Sequence, residues 1–191
     1  MNFESFSLHP SIMAGVKELG YVTPTPIQLQ AIPPILQGQD LVGLAQTGTG
    51  KTAAFVLPIL QRLSQGPRGC VRALIIAPTR ELAEQIHDAT QGLGKQTRLR
   101  SVTVYGGVNM TPQIQKLRGK AEIVVACPGR LLDHIRQKTI NLSHIEVLVL
   151  DEADRMFDMG FLPDIRKILK HLPAHRQTLL FSATMPDDIK H

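Results

Sequence analysis

Six short apolar runs alternate along the chain with amphipathic stretches, and this alternation restricts the possible folds more than any other feature of the sequence. The apolar runs occupy residues 41–45, 73–77, 102–105, 123–126, 147–150 and 178–181. Because they are rich in Val, Ile and Leu and show no polar residue at every second position, we predict strands buried on both faces. Helical patterns fill residues 52–63, 80–92, 112–117, 130–137 and 162–171. This order predicts an α/β fold with a mainly parallel β-sheet and helices on both faces.

Length and composition exclude several other classes of protein. The chain has 191 residues, of which 43% are hydrophobic, so it has the size of one domain and enough apolar material for a core. No apolar run approaches the roughly 20 residues of a membrane-spanning helix, and residues 1–7 lack the pattern of a signal peptide. Cys70 and Cys127 fit neither a disulfide framework nor a zinc cluster. We therefore expect a cytoplasmic, monomeric protein that does not bind a membrane.

The net charge of +5 favours a polyanionic partner only weakly, because many soluble proteins carry such a charge. Aromatic residues make up 4% of the chain and none is Trp. Since stacking on bases needs aromatic side chains, a bound nucleic acid would be held mainly by its backbone.

A glycine-rich segment directly follows the first apolar run and precedes a helical pattern. Its residues are Ala45, Gln46, Thr47, Gly48, Thr49, Gly50, Lys51 and Thr52. A strand, a glycine-rich loop and a helix N-terminus in this order predict a phosphate-binding loop, in which Lys51 reaches the β- and γ-phosphates and the Thr52 hydroxyl ligates Mg²⁺. The strict pattern begins with Gly, where this chain has Ala45, and the alternative is a small-residue turn that binds nothing. We prefer the phosphate-binding loop because Gly-Lys-Thr stands between a strand and a helix.

Acidic residues follow the fifth apolar run, where a second part of such a site is expected. A Mg²⁺ ion held only by a threonine and phosphates is under-coordinated, so we predict that Asp151 binds the metal and that Glu152 polarises the attacking water. Lys51, Asp151 and Glu152 are thus the candidate catalytic residues. The alternative is an acidic helix N-cap, and for Asp154 the two interpretations stay open.

At Asp151-Glu152-Ala153-Asp154 the sequence resembles the DEAD-box family of ATP-dependent RNA helicases. Other segments resemble further motifs of that family, in the family's order: Gly20-Tyr21 with Pro24-Thr25-Pro26-Ile27-Gln28 the Q motif, Pro78-Thr79-Arg80-Glu81-Leu82-Ala83 motif Ia, Gly106-Gly107 the double glycine, Cys127-Pro128-Gly129-Arg130 motif Ib, and Ser182-Ala183-Thr184 motif III. Cys127 replaces the usual Thr of motif Ib. The resemblance implies one RecA-like P-loop domain over residues 1–191, with residues 1–39 as the Q-motif segment, and ATP with Mg²⁺ as its ligands.

The Q motif also has a chemical logic of its own. A glutamine carboxamide donates and accepts hydrogen bonds at once, which matches the edge of adenine and not that of guanine. We therefore expect Gln28 to select ATP, with Tyr21 stacked on the base and Phe3 as the upstream aromatic of the motif. The alternatives are a solvated helix residue for Gln28 and a core aromatic for Tyr21.

The resemblance further implies an RNA groove and a coupling segment. The expected RNA-binding residues, which contact the sugar–phosphate backbone, are Pro78, Thr79, Arg80, Gly106, Gly107, Pro128, Gly129 and Arg130. The alternative for the two arginines is pairing with Glu81 or Asp133 on a helix surface. Asp154, Ser182 and Thr184 are implied to couple the ATP site to RNA and to a second domain, although two hydroxyls after a strand also suit a helix N-cap.

Members of the family carry a second RecA-like domain that supplies an arginine finger, and no residue of this chain has that context. We therefore expect the chain to be part of a longer protein, to bind adenine nucleotide, to hydrolyse it slowly and not to unwind RNA alone. Two other functions stay open: a DNA translocase with the same core, and a non-hydrolytic, ATP-gated RNA clamp.

Overall fold

The computed structural model describes residues 2–184. Its strands are β1 (Leu41–Leu44), β2 (Ala73–Ile76), β3 (Ser101–Val104), β4 (Ile123–Ala126), β5 (Val147–Leu150) and β6 (Gln177–Ser182). Its helices are α1 (Pro10–Glu18), α2 (Pro26–Leu36), α3 (Lys51–Leu63), α4 (Arg80–Leu93), α5 (Met110–Arg118), α6 (Pro128–Arg136), α7 (Ala153–Asp158) and α8 (Leu162–Leu169), preceded by a 3₁₀ helix (Phe3–Phe6).

The six strands form one sheet in the order β1-β6-β5-β2-β4-β3, and each neighbouring pair is parallel. Parallel strands need crossover connections, which the helices between them provide. The predicted α/β fold with a parallel sheet is confirmed. Because all strands run the same way, their carboxyl ends lie at one edge of the sheet, and the loops that follow them meet there.

Helices cover both faces of the sheet, as alternate residues of the strands show. On β2, Ile75 belongs to a core that includes α1, α2, α3 and α4, whereas Leu74 and Ile76 belong to a second core with α6, α7 and α8. Successive side chains of a strand point to opposite faces, so two separate cores require a covered sheet on each side. This explains why β2 and β4 are apolar at every position and buried throughout.

The sequence prediction is wrong for β1, which is not buried on both faces. This strand lies at the edge of the sheet and pairs within the described residues only with β6. As a result, the side chains of Val42 and Leu44 are 55% and 56% exposed. The prediction also lacked α7, a helix of six residues that is too short to show a 3.6-residue period.

Two N-terminal helices each begin at a proline. α1 starts at Pro10 and α2 at Pro26, where a missing backbone donor costs nothing in the first turn. The glycines after them, Gly20 and Gly38, have φ of 73° and 78°, which ends each helix. Among the helices of residues 2–184, none combines the length and the apolar character needed to cross a membrane.

Candidate functional site

The predicted motifs divide between the two halves of the sheet. The strands β1, β6 and β5 are adjacent. The glycine-rich loop follows β1, Asp151-Glu152 follows β5, and Ser182-Ala183-Thr184 begins at the last residue of β6. The strands β2, β4 and β3 are also adjacent, and they precede the predicted RNA-binding residues. Two functional areas therefore share one edge of the sheet, and they meet between β5 and β2.

The glycine-rich loop runs from the end of β1 to the start of α3. Gly48 and Gly50 have φ of 82° and 91°, a conformation that allows backbone N–H groups to converge on an anion. Two hydrogen bonds fix the loop: Ala45 N donates to Ser182 O at 3.0 Å, and Thr49 Oγ1 donates to Gln46 O at 2.7 Å. Gln46, Thr47 and Gly48 are exposed, so this part of the loop is open to a ligand.

Lys51 and Asp151 meet beneath this loop. Their side chains are 7% and 2% exposed, and Lys51 Nζ lies 4.0 Å from Asp151 Oδ1. Lys51 Nζ has no hydrogen-bond partner among the described residues. Burial raises the pKa of the Asp151 carboxyl to about 6, because the nearby Lys51 ammonium and the Glu152 N–H offset only part of the desolvation. A buried ammonium without a partner suits a ligand that carries negative charge.

The donor set suits a Mg²⁺ ion that is held jointly with phosphates. Thr52 stands in the first turn of α3 and Asp151 at the end of β5, and both supply the oxygen ligands that Mg²⁺ prefers. Within residues 2–184 there is no group of three or more His, Cys, Asp or Glu side chains that would hold a metal alone. The remaining ligands would thus come from phosphate and water, which is usual for this ion.

Glu152 lies beside Asp151 in a strained conformation. Its φ and ψ are 50° and 52°, in the left-handed region that costs a non-glycine residue about 1 kcal/mol or more. The Glu152 N–H donates to Asp151 Oδ1 at 2.9 Å, and its carboxylate lies 3.3 Å from the Arg155 guanidinium. Strain of this kind concentrates at functional sites.

The structure brings Gln28 against the glycine-rich loop. The Gln28 side chain is 4% exposed: its Oε1 accepts from Thr25 N at 2.9 Å, and its Nε2 donates to Gly50 O at 3.2 Å. A carboxamide has two donors and two acceptor lone pairs, so one of each remains for adenine. The alternative of a solvated helix residue is wrong for Gln28, whose burial links the Q-motif segment to the phosphate loop.

Phe3 and Tyr21, the two aromatic candidates of the Q-motif segment, are exposed to different degrees. Phe3 is 3% exposed, and its ring centre lies 5.9 Å from that of Phe6 and 6.0 Å from that of Tyr21. Tyr21 is 38% exposed and borders an open cavity of about 300 Å³. Tyr21 is therefore partly open to solvent, and Phe3 packs against it. Their contact with a base stays a prediction.

Asp154 joins α7 to the segment after β6. Ser182 Oγ accepts from Asp154 N at 3.1 Å, and Asp154 Oδ2 accepts from both Thr184 N and Thr184 Oγ1 at 3.1 Å. Burial acts to raise the pKa of Asp154, but the hydrogen bonds of Ser182 and Thr184 outweigh it and lower the pKa. Ser182 thus caps the first turn of α7 from another element, and it connects the loops after β5 and β6.

Motif Ia opens α4 at the end of β2. Thr79 is the N-cap, and its hydroxyl accepts from Leu82 N at 3.3 Å. The Arg80 guanidinium lies 4.9 Å from the centre of the Tyr105 ring. Tyr105 in turn donates its hydroxyl proton to Glu84, and this bond lowers the pKa of Glu84. Arg80 is therefore held on an aromatic face, and the predicted alternative of an Arg80–Glu81 pair does not occur within residues 2–184.

The other predicted RNA-binding residues lie on adjacent loops. Gly106 and Gly107 are exposed, and so is Gly129 in the first turn of α6 behind the buried Pro128. A Cβ atom added to any of the three glycines would meet no atom of a non-neighbouring described residue within 4 Å, so the surface above them is open to a close approach. Arg130 donates to Val108 O at 3.0 Å and also lies 3.8 Å from Asp133, which is the pairing considered as its alternative.

Cys127 caps α6 without a side-chain hydrogen bond to any described residue. Burial and the nearby Glu81 raise the pKa of its thiol to about 11, so the thiol stays protonated at neutral pH. This agrees with a small, partly buried residue and not with a nucleophile.

Comparisons with known proteins decide the family. A family model described as DEAD/DEAH box helicase matches residues 25–191. The chain belongs to the DEAD/DEAH box helicase family. It is similar to the crystal structure of a DEAD box protein from the hyperthermophile Methanococcus jannaschii, with a TM-score of 0.93 and 41% identity over all of this chain and 52% of that one. The RecA-like fold expected from the resemblance is confirmed.

Curated DEAD-box relatives are also similar over nearly the whole chain. "ATP-dependent RNA helicase CshA" of Listeria monocytogenes is 52% identical and is matched over 98% of this chain and 36% of its own length. "DEAD-box ATP-dependent RNA helicase RhpA" of Helicobacter pylori is 49% identical over 99% of this chain and 38% of its own length. The chain thus spans little more than a third of the length of these relatives.

Sequence reasoning missed several residues that support these DEAD-box motifs. Tyr105 and Glu84 hold Arg80, and Gln113 with His134 forms a buried link behind the double glycine. Tyr105 immediately precedes Gly106, which is a signal that sequence could have offered. Gln113 and His134 are polar residues within amphipathic helices. Both are buried, but no local sequence pattern indicates this.

Proposed function

We propose that the chain is the first RecA-like domain of an ATP-dependent RNA helicase, with residues 1–39 as its Q-motif segment. It binds ATP with Mg²⁺ and the backbone of single-stranded RNA. Together with a second RecA-like domain it couples ATP hydrolysis to the unwinding or remodelling of RNA, as a monomer in the cytoplasm. The observation that carries the proposal is the buried Lys51 ammonium, which lies beneath the glycine-rich loop, 4.0 Å from Asp151, without a hydrogen-bond partner in the described part of the chain.

The nucleotide is held by the glycine-rich loop, by the first turn of α3 and by the Q-motif segment. The N–H groups of the loop and Lys51 neutralise the β- and γ-phosphates, while Gln28 recognises adenine and Tyr21 stacks on it with Phe3 in support. Asp151 and Thr52 would hold Mg²⁺, which supplies charge neutralisation on the phosphates when bound. Glu152 accepts the proton of the water that attacks the γ-phosphorus, and its strained backbone supports this role.

RNA lies across the loops that follow β2, β4 and β3. Arg80 contributes a fixed charge, and the glycines at 106, 107 and 129 allow a phosphate to approach backbone N–H groups. Contacts of this kind do not read bases, which agrees with the small number of aromatic residues. RNA in preference to DNA is supported by the names of the relatives.

A second domain completes the ATP site in the proposed enzyme. The relatives are almost three times as long as their matched part, which leaves room for such a domain. Asp154, Ser182 and Thr184 are proposed to transmit the state of the ATP site to that domain, because their hydrogen bonds join two of the nucleotide-side loops. Without an arginine finger, the isolated chain would turn over ATP more slowly by a factor of about 10³ or more.

The test compares the wild type with Glu152→Gln in the polypeptide that carries both domains. We expect the variant to bind adenine nucleotide as tightly as the wild type and to lose RNA-stimulated hydrolysis. If turnover survives, the role of Glu152 is wrong. ATPase stimulation by single-stranded RNA and by DNA of the same sequence decides between a helicase and a DNA translocase. An RNA-bound wild type without any turnover would instead support a non-hydrolytic clamp.

A further inference from the structure

The double-glycine loop is bonded to side chains at both of its ends. Before the glycines, Tyr105 O accepts from Gln113 Nε2 at 2.8 Å; after them, Val108 O accepts from Arg130 at 3.0 Å. The two glycines between these anchors are exposed, and Gly107 has φ of 78°. The backbone of this loop is therefore fixed on each side, and only its open middle faces solvent.

The two side chains that hold the loop are both connected to the same helix, α6. Arg130 belongs to its first turn, and His134 stands one turn further along. The His134 ring is fully buried, and its Nε2 lies 3.1 Å from Oε1 of Gln113, which is itself 6% exposed. The helix that carries Gly129 and Arg130 thus holds the double-glycine loop directly through Arg130 and indirectly through His134 and Gln113.

The hydrogen bonds between Gln113 and His134 show which ring nitrogen of His134 carries the proton. Because Gln113 Nε2 donates to the Tyr105 carbonyl, Gln113 Oε1 must accept, so His134 carries its proton on Nε2. His134 Nδ1 then accepts from the Thr139 hydroxyl at 2.7 Å. Burial lowers the pKa of His134, and the nearby Arg130 lowers it further, which agrees with a neutral ring. The side-chain nitrogen and oxygen of Gln113 and both ring nitrogens of His134 therefore each have a hydrogen-bond partner.

A buried polar link is not required merely to pack two helices together. Replacement of a satisfied buried polar pair by apolar residues of similar shape is often neutral for stability, whereas removal of one partner is costly. A complete hydrogen-bond network does fix geometry more strictly than apolar contacts. We propose that Gln113 and His134 are positioning residues, which hold the double-glycine loop and the start of α6 in one register for adjacent phosphates of RNA. This rests on the proposed RNA-binding function.

The test separates positioning from stability with three variants. Gln113→Leu breaks the link and leaves a buried His134 N–H unpaired; Gln113→Leu/His134→Leu replaces the link by apolar contacts; Gln115→Leu changes an exposed glutamine of the same helix and is the matched control. The melting temperature and the affinity for fluorescein-labelled oligouridylate are measured for each, over a series of salt concentrations, together with the affinity for ATP.

We expect Gln113→Leu to lower both the melting temperature and the RNA affinity, the latter by about tenfold. The double variant should regain most of the melting temperature that Gln113→Leu loses, since only the Tyr105 carbonyl still lacks its donor, but it should not regain the RNA affinity. Its salt dependence should be weaker, by about 0.7 in slope for each phosphate of a single strand that the variant no longer binds. ATP affinity should stay unchanged in all variants.

If RNA affinity returns together with the melting temperature in the double variant, or never falls, Gln113 and His134 are structural and the inference is overturned. A wild type that binds no oligouridylate would instead contradict the proposed function, and the inference would fall with it.

Discussion

Lys51 Nζ and Asp151 Oδ1 lie 4.0 Å apart in a place where neither side chain is more than 7% exposed. At this distance the two charges attract but do not form a hydrogen bond, so among residues 2–184 nothing accepts from the buried ammonium. Charges buried in this way destabilise a fold unless something compensates them. We therefore expect the buried Lys51 ammonium to lower the free energy of unfolding of the protein without ligand. A bound anion would accept from this ammonium and remove that cost.

The first prediction concerns Lys51. Lys51→Ala should weaken the binding of ATP by about 10- to 100-fold, because a hydrogen bond between a charged donor and a charged acceptor is removed from a buried site. Isothermal titration calorimetry measures the change. Lys167→Ala, which removes an exposed lysine of α8, should bind ATP like the wild type. Equal affinities of wild type and Lys51→Ala would contradict the assignment of the loop.

The second prediction is that the gain in ATP affinity provided by Mg²⁺ depends on pH. Asp151 must lose its proton to bind Mg²⁺, and its pKa is raised to about 6. The gain in ATP affinity that Mg²⁺ provides should therefore be full above about pH 7 and should decline as the pH falls through about 6. It is measured as the ratio of the dissociation constants for ATP with Mg²⁺ and with a chelator.

The phosphates of ATP also change their protonation in this pH range. The control must therefore be a variant that binds the same nucleotide but lacks the Asp151 carboxyl. Asp151→Asn provides it, because its side chain has no proton to lose. We expect this variant to show a smaller gain from Mg²⁺ at every pH and to lack the additional decline near pH 6 that the Asp151 carboxyl causes. If both proteins show the same pH profile, the decline belongs to the nucleotide, and the metal-binding role of Asp151 is wrong.

The third prediction concerns base selection by Gln28. Gln28→Ala should reduce the preference for ATP over GTP and should also lower the melting temperature by a few degrees, because Thr25 N and Gly50 O lose their partners. Competition between labelled ATP and unlabelled GTP measures the first effect. Gln91→Ala, at an exposed position of α4, should change neither quantity. A loss of stability with unchanged selectivity would make Gln28 purely structural.

The sequence predicted those parts of the fold that local patterns determine. The strands and most helices follow from hydrophobic periodicity, and the glycine-rich loop follows from residues that are contiguous in the chain. The exposure of Val42 and Leu44 could not be predicted, since it depends on the place of β1 at the edge of the sheet. Strand order is set by contacts between distant segments, on which a local pattern carries no information.

The same limit applies to the candidate site. The glycine-rich loop and the acidic residues were found because each follows a strand end, where a ligand of a parallel sheet binds. The Q-motif and RNA-binding residues were found by their resemblance to motifs of a known family. Gln113 on α5 and His134 on α6 are 21 residues apart in the sequence and meet only in the folded chain. Pairing of Arg80 with the neighbouring Glu81 was the alternative considered from the sequence, but the fold places Arg80 on Tyr105, which directly follows β3. Long-range partners of this kind need the tertiary structure.

The fourth prediction is one of stability. A side chain at Gly15 of α1 would lie 2.2 Å from Leu93 O of α4, so the two helices would have to separate. Gly15→Ala should lower the melting temperature by about 5 °C or more, although alanine favours a helix by about 1 kcal/mol over glycine. Gly92→Ala is the matched control, because the described atoms nearest to its methyl group belong to the exposed side chain of Leu19, which can move aside. That variant should be as stable as the wild type or more so, in thermal unfolding followed by circular dichroism.

The fifth prediction separates the ring of Tyr105 from its hydroxyl group. The guanidinium of Arg80 lies over the ring at 4.9 Å, while the hydroxyl bonds to Glu84. A contact between a cation and an aromatic face contributes about 0.5–1 kcal/mol at an exposed site, which corresponds to about a two- to fivefold change in affinity. Tyr105→Leu should therefore weaken RNA binding by this factor, whereas Tyr105→Phe, which keeps the ring, should bind nearly as well as the wild type.

The variant Arg80→Ala tests whether Tyr105 affects RNA binding through Arg80. If the ring acts by aiming Arg80 at a phosphate, Tyr105→Leu should weaken binding no further in a protein that already lacks Arg80. The slope of affinity against salt should also fall by about 0.7 in Arg80→Ala, as expected for one phosphate contact on a single strand. Additive effects in the double variant would mean that Tyr105 contacts RNA by itself, and equal binding by the Phe and Leu variants would mean that the ring face has no part in it.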